Sequence, residues 1–281
     1  MKKNKFILFY LVIKQMTDSC GRLRVSNPNT IFEYFPTRLT SSLNGYDQDT
    51  WVNELSGSSQ ISRDSCNYIL LECSDKNSYV VRQTKLPMIY QPGKSRLLQF
   101  NGVVFDRLVG TDNASAKIGL FSTSGSTVVE GHYFKSDGNT LYWCETMNRV
   151  ETAIPQSEWN LDTLDESNAS PSGQKITINN LSCNMTFLID QDTESGKVKV
   201  GFVINGIKYY AHEFLHNECA TAYTSTQKLP ITYLLCTGKT LLAPIHLRQL
   251  SCVCLLEGMY LNLGKRFSVA TPITGVTLSN V

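Results

Sequence analysis

Apolar residues fall in short runs of period two, interrupted roughly every 8–12 residues by Gly, Pro, Asn, Asp or Ser, which is the spacing of sandwich and barrel strands. The clearest runs are TIFEYF (30–35), NYILLE (67–72), YVVRQ (79–83), RLLQFNGVVF (96–105) and KIGLFS (117–122). They continue with GHYF (131–134), TLYWCE (140–145), LSCNMTFLID (181–190), KVKVGFVI (197–204), LPITYLL (229–235), HLRQLSCVCLL (246–256) and FSVA (267–270). GRLRVS (21–26) alternates in the same way and stops at Asn27-Pro28. Turns are expected at 75–77, 136–139 and 192–196, and a long loop from Ser157 to Gly173. No stretch carries a sustained helical stripe. The pattern predicts an all-β fold, an antiparallel β-sandwich of jelly-roll-like type. Residues 1–17 read as an apolar arm, 18–78 as an irregular lead packing on the body, and 79–281 as the sandwich itself. Within the lead, LSGSSQISRDS (55–65) reads as an exposed polar loop.

One segment bears directly on chemistry. GFVINGIKYYAHEFLH (201–216) ends in His212-Glu213-x-x-His216, the spelling of a zinc-hydrolase motif. On a helix, histidines at i and i+4 share a face and grip one Zn²⁺ while the glutamate activates water. On a strand the same step spans roughly 13 Å, too far for one ion. Asn205-Gly206 is a strong hairpin signal, because a type I′ turn needs φ > 0 at both central residues. Its flanks, 197–204 and 207–211, are rich in β-branched and aromatic residues. The hairpin reading places His212 and His216 on extended backbone, where they pack or hydrogen-bond. Neither Glu257 nor His246 is supported by spacing as a third ligand. The expectation is therefore no catalytic residue, no cofactor and no metal ligand, and no enzyme.

Composition narrows the function classes. The chain has 281 residues, 18% of them charged, and a net charge of +2. That is nearly neutral, and no basic run sits among aromatics, so nucleic-acid binding is not expected. No run of 18 apolar residues exists to span a membrane as a helix. A basic head, Met1 to Lys5, precedes the apolar stretch FILFYLVI (6–13), which reads as a signal segment or a docking arm. Nine cysteines (20, 66, 73, 144, 183, 219, 236, 252, 254) make an odd count with no CxxC pair, so buried reduced thiols are expected. Sequons stand at Asn113, Asn168, Asn180 and Asn184 and matter only in a secreted protein. Pro92-Gly93-Lys94-Ser95 imitates the end of a phosphate-binding loop, but Met88 stands where its first glycine belongs and a β-type run follows.

Several segments carry a resemblance: DSCGRLRVSNPNTIFE (18–33), VRQTK (81–85), YQPGKS (90–95), KIGLF (117–121) and PQSEWNLDTLD (155–165). PSG (171–173), GFVING (201–206), HEFLHN (212–217), STQKLP (225–230) and LRQLSC (247–252) follow in order. Together they resemble a family of β-rich virion structural proteins of tailed marine phages and large DNA viruses of protists. The likeness runs over roughly residues 18–270. Cys20 departs from a usual aromatic, and DQDTES (190–195) replaces a Trp-Leu-Gly-Val-like turn. The His-Glu-x-x-His spelling recurs in that family within a strand run, without protease identity.

The resemblance implies a non-enzymatic component of the virus particle: capsid, vertex, tail or fibre. Its implied partners are other virion proteins and further copies of itself, in a homo-oligomer. Its implied location is the virion, after assembly in the host cytoplasm. The alternative is a host-attachment module binding a surface glycan, with Trp143, Trp159 and Tyr133 as candidate stacking residues. A zinc hydrolase built on His212 and His216 is the remote third reading.

Overall fold

The computed structural model describes residues 29–35, 49–66, 68–89, 94–105, 114–167, 170–192, 196–216, 224–226, 228–238, 241 and 243–256. The arm at 1–17, the run 21–26 and the run 267–270 lie outside them. Fifteen strands follow one another among the described residues. The first five are β1 (Asn29–Tyr34), β2 (Trp51–Ser56), β3 (Ser59–Arg63), β4 (Ile69–Cys73) and β5 (Tyr79–Thr84). Next come β6 (Arg96–Val103), β7 (Ala114–Ser124), β8 (Thr127–Ser136), β9 (Leu141–Met147) and β10 (Val150–Pro155). The last are β11 (Met185–Asp192), β12 (Lys197–Ile204), β13 (Ile207–Leu215), β14 (Ile231–Thr237) and β15 (Ile245–Leu256). Short 3-10 turns at Gln156–Glu158 and Ile178–Ser182 are the helical elements among the described residues.

The strands form two antiparallel sheets. Sheet I runs β13-β12-β11-β6-β15-β4-β3, with β1 also on β15. Sheet II runs β10-β9-β8-β7-β14-β5-β2. The fold is thus the expected antiparallel sandwich of jelly-roll-like type. The described part of 18–78 supplies strands to both sheets rather than standing apart from them. The polar stretch 55–65 is not a loop. It holds the end of β2 and all of β3, and the chain passes from sheet II to sheet I between them, at Gly57 (φ 67°). Strand β10 follows β9 as a hairpin, in a segment with no clear alternating run.

Alternation explains how the core assembles. On β8, Phe134 faces the space between the sheets while Tyr133 faces the opposite side; on β14, Tyr233 and Leu235 point in and Leu234 points out. Phe134 and Trp143 from sheet II meet Phe187 and Phe202 from sheet I, with ring centroids 4.7–5.7 Å apart. Such pairs contribute beyond the area they bury. At the other end, Trp51 packs edge-on against Tyr34 and Tyr233. The outer face of sheet II carries a smaller cluster of Val81, Phe121, Val128, Tyr133, Cys144 and Leu234.

Candidate functional site

The hairpin is as expected. Asn205 and Gly206 take φ 52° and 78° and join β12 to β13, whose ladder shifts register once, between Val200 and Gly201, so that Ala211 is the extra residue before His212. His212, Phe214 and His216 alternate toward the interior, and Phe214 stands between the two histidines. Its ring lies 4.6 Å from His212 and 5.7 Å from the ring of His132. The spelled motif therefore does not converge. His212 Nδ1 accepts a hydrogen bond from the Asn160 backbone N–H (3.2 Å), and burial pushes the pKa of its ring down. Glu213 points the other way and pairs with Lys199 across the hairpin at 3.5 Å.

His216 instead reaches the opposite sheet. His132 on β8 and Glu145 on β9 are directly opposite each other in the ladder. The His132 Nε2 lies 2.9 Å from Glu145 Oε1, and His216 Nε2 lies 2.8 Å from the same oxygen. One ligand-type atom from each of the three residues lies within 4.8 Å of the other two. The side chains are only 3% (His132), 12% (Glu145) and 5% (His216) exposed. Burial alone would raise the Glu145 carboxyl, but its contacts with the two imidazoles outweigh this and hold it at about 2. The strand end is fixed locally, since the His216 N–H donates to the Gly196 carbonyl (2.9 Å).

Beside this cluster, Arg96, His132, Thr146, Gln191, Thr224 and Leu229 are among the residues that line a small recess of mixed polar and apolar surface. Arg96 donates to Gln191 Oε1 at 2.6 Å, which turns the Gln191 amide nitrogen toward His132 Nδ1 at 3.4 Å. The Glu130 carboxylate accepts from the Ser225 N–H and the Thr224 hydroxyl, both at 3.1 Å, and so anchors the chain that returns beside the recess.

The other residues singled out in the sequence are placed elsewhere. His246 pairs with Glu72 across β15 and β4 at 2.7 Å, and Glu257 lies outside the described residues. Pro92 and Gly93 lie outside the described residues, and Lys94 and Ser95 lead into β6 rather than into a helix. Trp143, Trp159 and Tyr133 are 0, 4 and 0% exposed and belong to the core, so they cannot stack on a sugar. Cys73, Cys144, Cys252 and Cys254 are buried free thiols. Burial pushes Cys73 and Cys254 up to about 12, which leaves them as inert apolar filling at neutral pH.

The sequence reading missed the partners of His216. His132 and Glu145 stand four residues to either side of the Ser136–Leu141 pair, a register two residues away from the one that a loop at 136–139 would set. What brings His216 to them is packing between sheets, which leaves no spacing signal in the chain.

No family model matches this sequence, and no curated protein does. Among solved structures, the Emp47p carbohydrate recognition domain aligns with TM-score 0.48 and 12% identity, over 82% of this chain and 97% of that one. A legume lectin-like domain from Entamoeba histolytica aligns with TM-score 0.48 and 7% identity, over 82% and 98%. The binding domain of botulinum neurotoxin serotype C1 aligns with TM-score 0.44 and 11% identity, over 80% of this chain and 48% of that one. The likeness is one of sandwich architecture alone.

Proposed function

We propose that this chain is a non-enzymatic structural component of a virus particle, holding other virion proteins through the outer strands of its sandwich. The observation that carries this reading is where apolar side chains remain exposed. Strands β2 and β10 are the two ends of sheet II. Val52 and Leu55 on β2 are 42 and 46% exposed, and Val150 on β10 is 70% exposed. Leu86, just beyond the partner strand β5, is 78% exposed. Outer strands are ordinarily blunted by charge or proline, because open backbone groups invite another chain's strand. Apolar side chains at both ends fit a subunit that is covered on assembly. The segments resembling virion structural proteins support the same reading, with assembly in the host cytoplasm. Mass spectrometry of purified, fractionated particles is expected to find the chain at structural copy number. Absence from the particles would remove the proposal.

Attachment to a host-surface glycan is the second reading. The Emp47p domain, which shares the sandwich architecture, is a carbohydrate recognition domain. A sugar on this chain would have to use residues other than Trp143, Trp159 and Tyr133. A glycan array probed with the purified chain tests it, and blank spots throughout would dismiss it.

A further inference from the structure

We infer that His132, Glu145 and His216 form a binding site for a divalent transition metal of the Zn²⁺ class, one that ties the two sheets together. The inference is independent of any role in a particle. Two imidazole nitrogens and one carboxylate are a ligand set that zinc takes readily, leaving one position for water. Zinc bonds of about 2.0–2.2 Å in tetrahedral array place donor atoms roughly 3.3–3.5 Å apart. Here the nitrogen-to-oxygen separations are 2.9 and 2.8 Å, so the carboxylate needs to back away by only about half an ångström. All three pairwise separations are at most 4.8 Å, within reach of side-chain adjustment. The donors come from both layers: β8 and β9 in sheet II, and the residue after β13 in sheet I. A bound ion would therefore act as a cross-link between sheets. The recess beside His132 has room for about one water molecule.

The competing account is a carboxylate shared by two imidazole N–H groups, with no ion. The Gln191 contact as it stands favours that account, and a substitution there separates the two. The Gln191 amide nitrogen faces His132 Nδ1 at 3.4 Å, which favours the tautomer carrying its proton on Nε2. Metal at Nε2 requires the proton on Nδ1, where an acceptor is wanted. Gln191→Glu supplies that acceptor. It should tighten metal binding roughly tenfold, within the range outer-sphere partners command.

The test uses the untagged full chain, stripped with a chelator and titrated with zinc chloride in a calorimeter, with melting temperature and metal content measured alongside. The expected result is about one zinc per chain and a raised melting temperature. Binding should fall by roughly a hundredfold or more in His216→Ala and in Glu145→Gln, and stay unchanged in His246→Ala, which breaks the half-buried His246–Glu72 pair. Cobalt(II) in the wild-type chain should give the visible absorption of a tetrahedral site, a readout that needs no variant to fold. A wild-type chain that takes up no zinc and melts unchanged would overturn the inference. So would zinc binding retained by His216→Ala.

Discussion

At the scale of single residues, the polar groups in the long loop between β10 and β11 show how burial is compensated. Asp162 accepts from the Ser170 hydroxyl at 2.7 Å, the Leu164 N–H at 2.9 Å and the Ser172 N–H at 3.2 Å. Burial alone would raise its carboxyl, but these donors outweigh that and hold it below the ordinary value of 3.8. A carboxyl lowered in the folded state stabilises above its unfolded value, and that contribution is lost as pH falls through the folded value. Asp162→Asn should therefore lower the melting temperature at pH 7 and cost progressively less below about pH 4, as a thermal melt series in pH would show. None of this network was legible in the sequence. Asp162, Ser170 and Ser172 looked like ordinary loop residues, because hydrogen bonding across an irregular loop has no period.

At the scale of elements, two backbone positions carry most of the specification. Asn205 and Gly206 satisfy the positive φ of the β12–β13 turn, a requirement readable from the dipeptide itself. Replacing both with valine puts β-branched side chains in the left-handed region. A loss of about 2–4 kcal/mol is expected in urea denaturation, at roughly 1–2 for each strained residue. Gly131 is less visible. It takes φ 134° beside β7, and a Cβ there would sit 2.2 Å from the Leu120 carbonyl oxygen. Gly131→Val should destabilise by about 1–3 kcal/mol through crowding, and because His132 is the next residue, it should also weaken zinc binding in calorimetry. The strands that escaped the sequence reading, β2, β3 and β10, share one cause, and on β2 Val52, Glu54 and Leu55 are exposed. Residues on β3 are largely intermediate in exposure, and the first three on β10 are exposed. Strands at the margin bury no continuous face, so they write no clean alternation into the chain. The interior strands β6, β14 and β15 were plain for the opposite reason.

For the whole molecule, the sandwich is held by aromatic contact between layers. Trp143 is fully buried, with its ring centroid 5.5 Å from Phe134 and 5.6 Å from Phe202. Trp143→Ala is expected to cost about 3–5 kcal/mol, seen as a lower denaturation midpoint with the slope unchanged. At the margins the expectation reverses. Val52→Lys and Val150→Lys should leave the melting temperature nearly constant while abolishing self-association in sedimentation, if the outer strands are contact surfaces.

The placement of β15 has a further consequence, for the order of events during synthesis. It is the last described strand to be made, yet it lies inside sheet I, flanked by β6 on one side and by β4 and β1 on the other. Until residue 256 has left the ribosome, two halves of that layer wait with their facing backbones open. Contacts so distant in sequence are slow to form and exposed to misassembly meanwhile. A nascent chain halted before Ile245 should be a client of folding helpers, and one released after Leu256 should not.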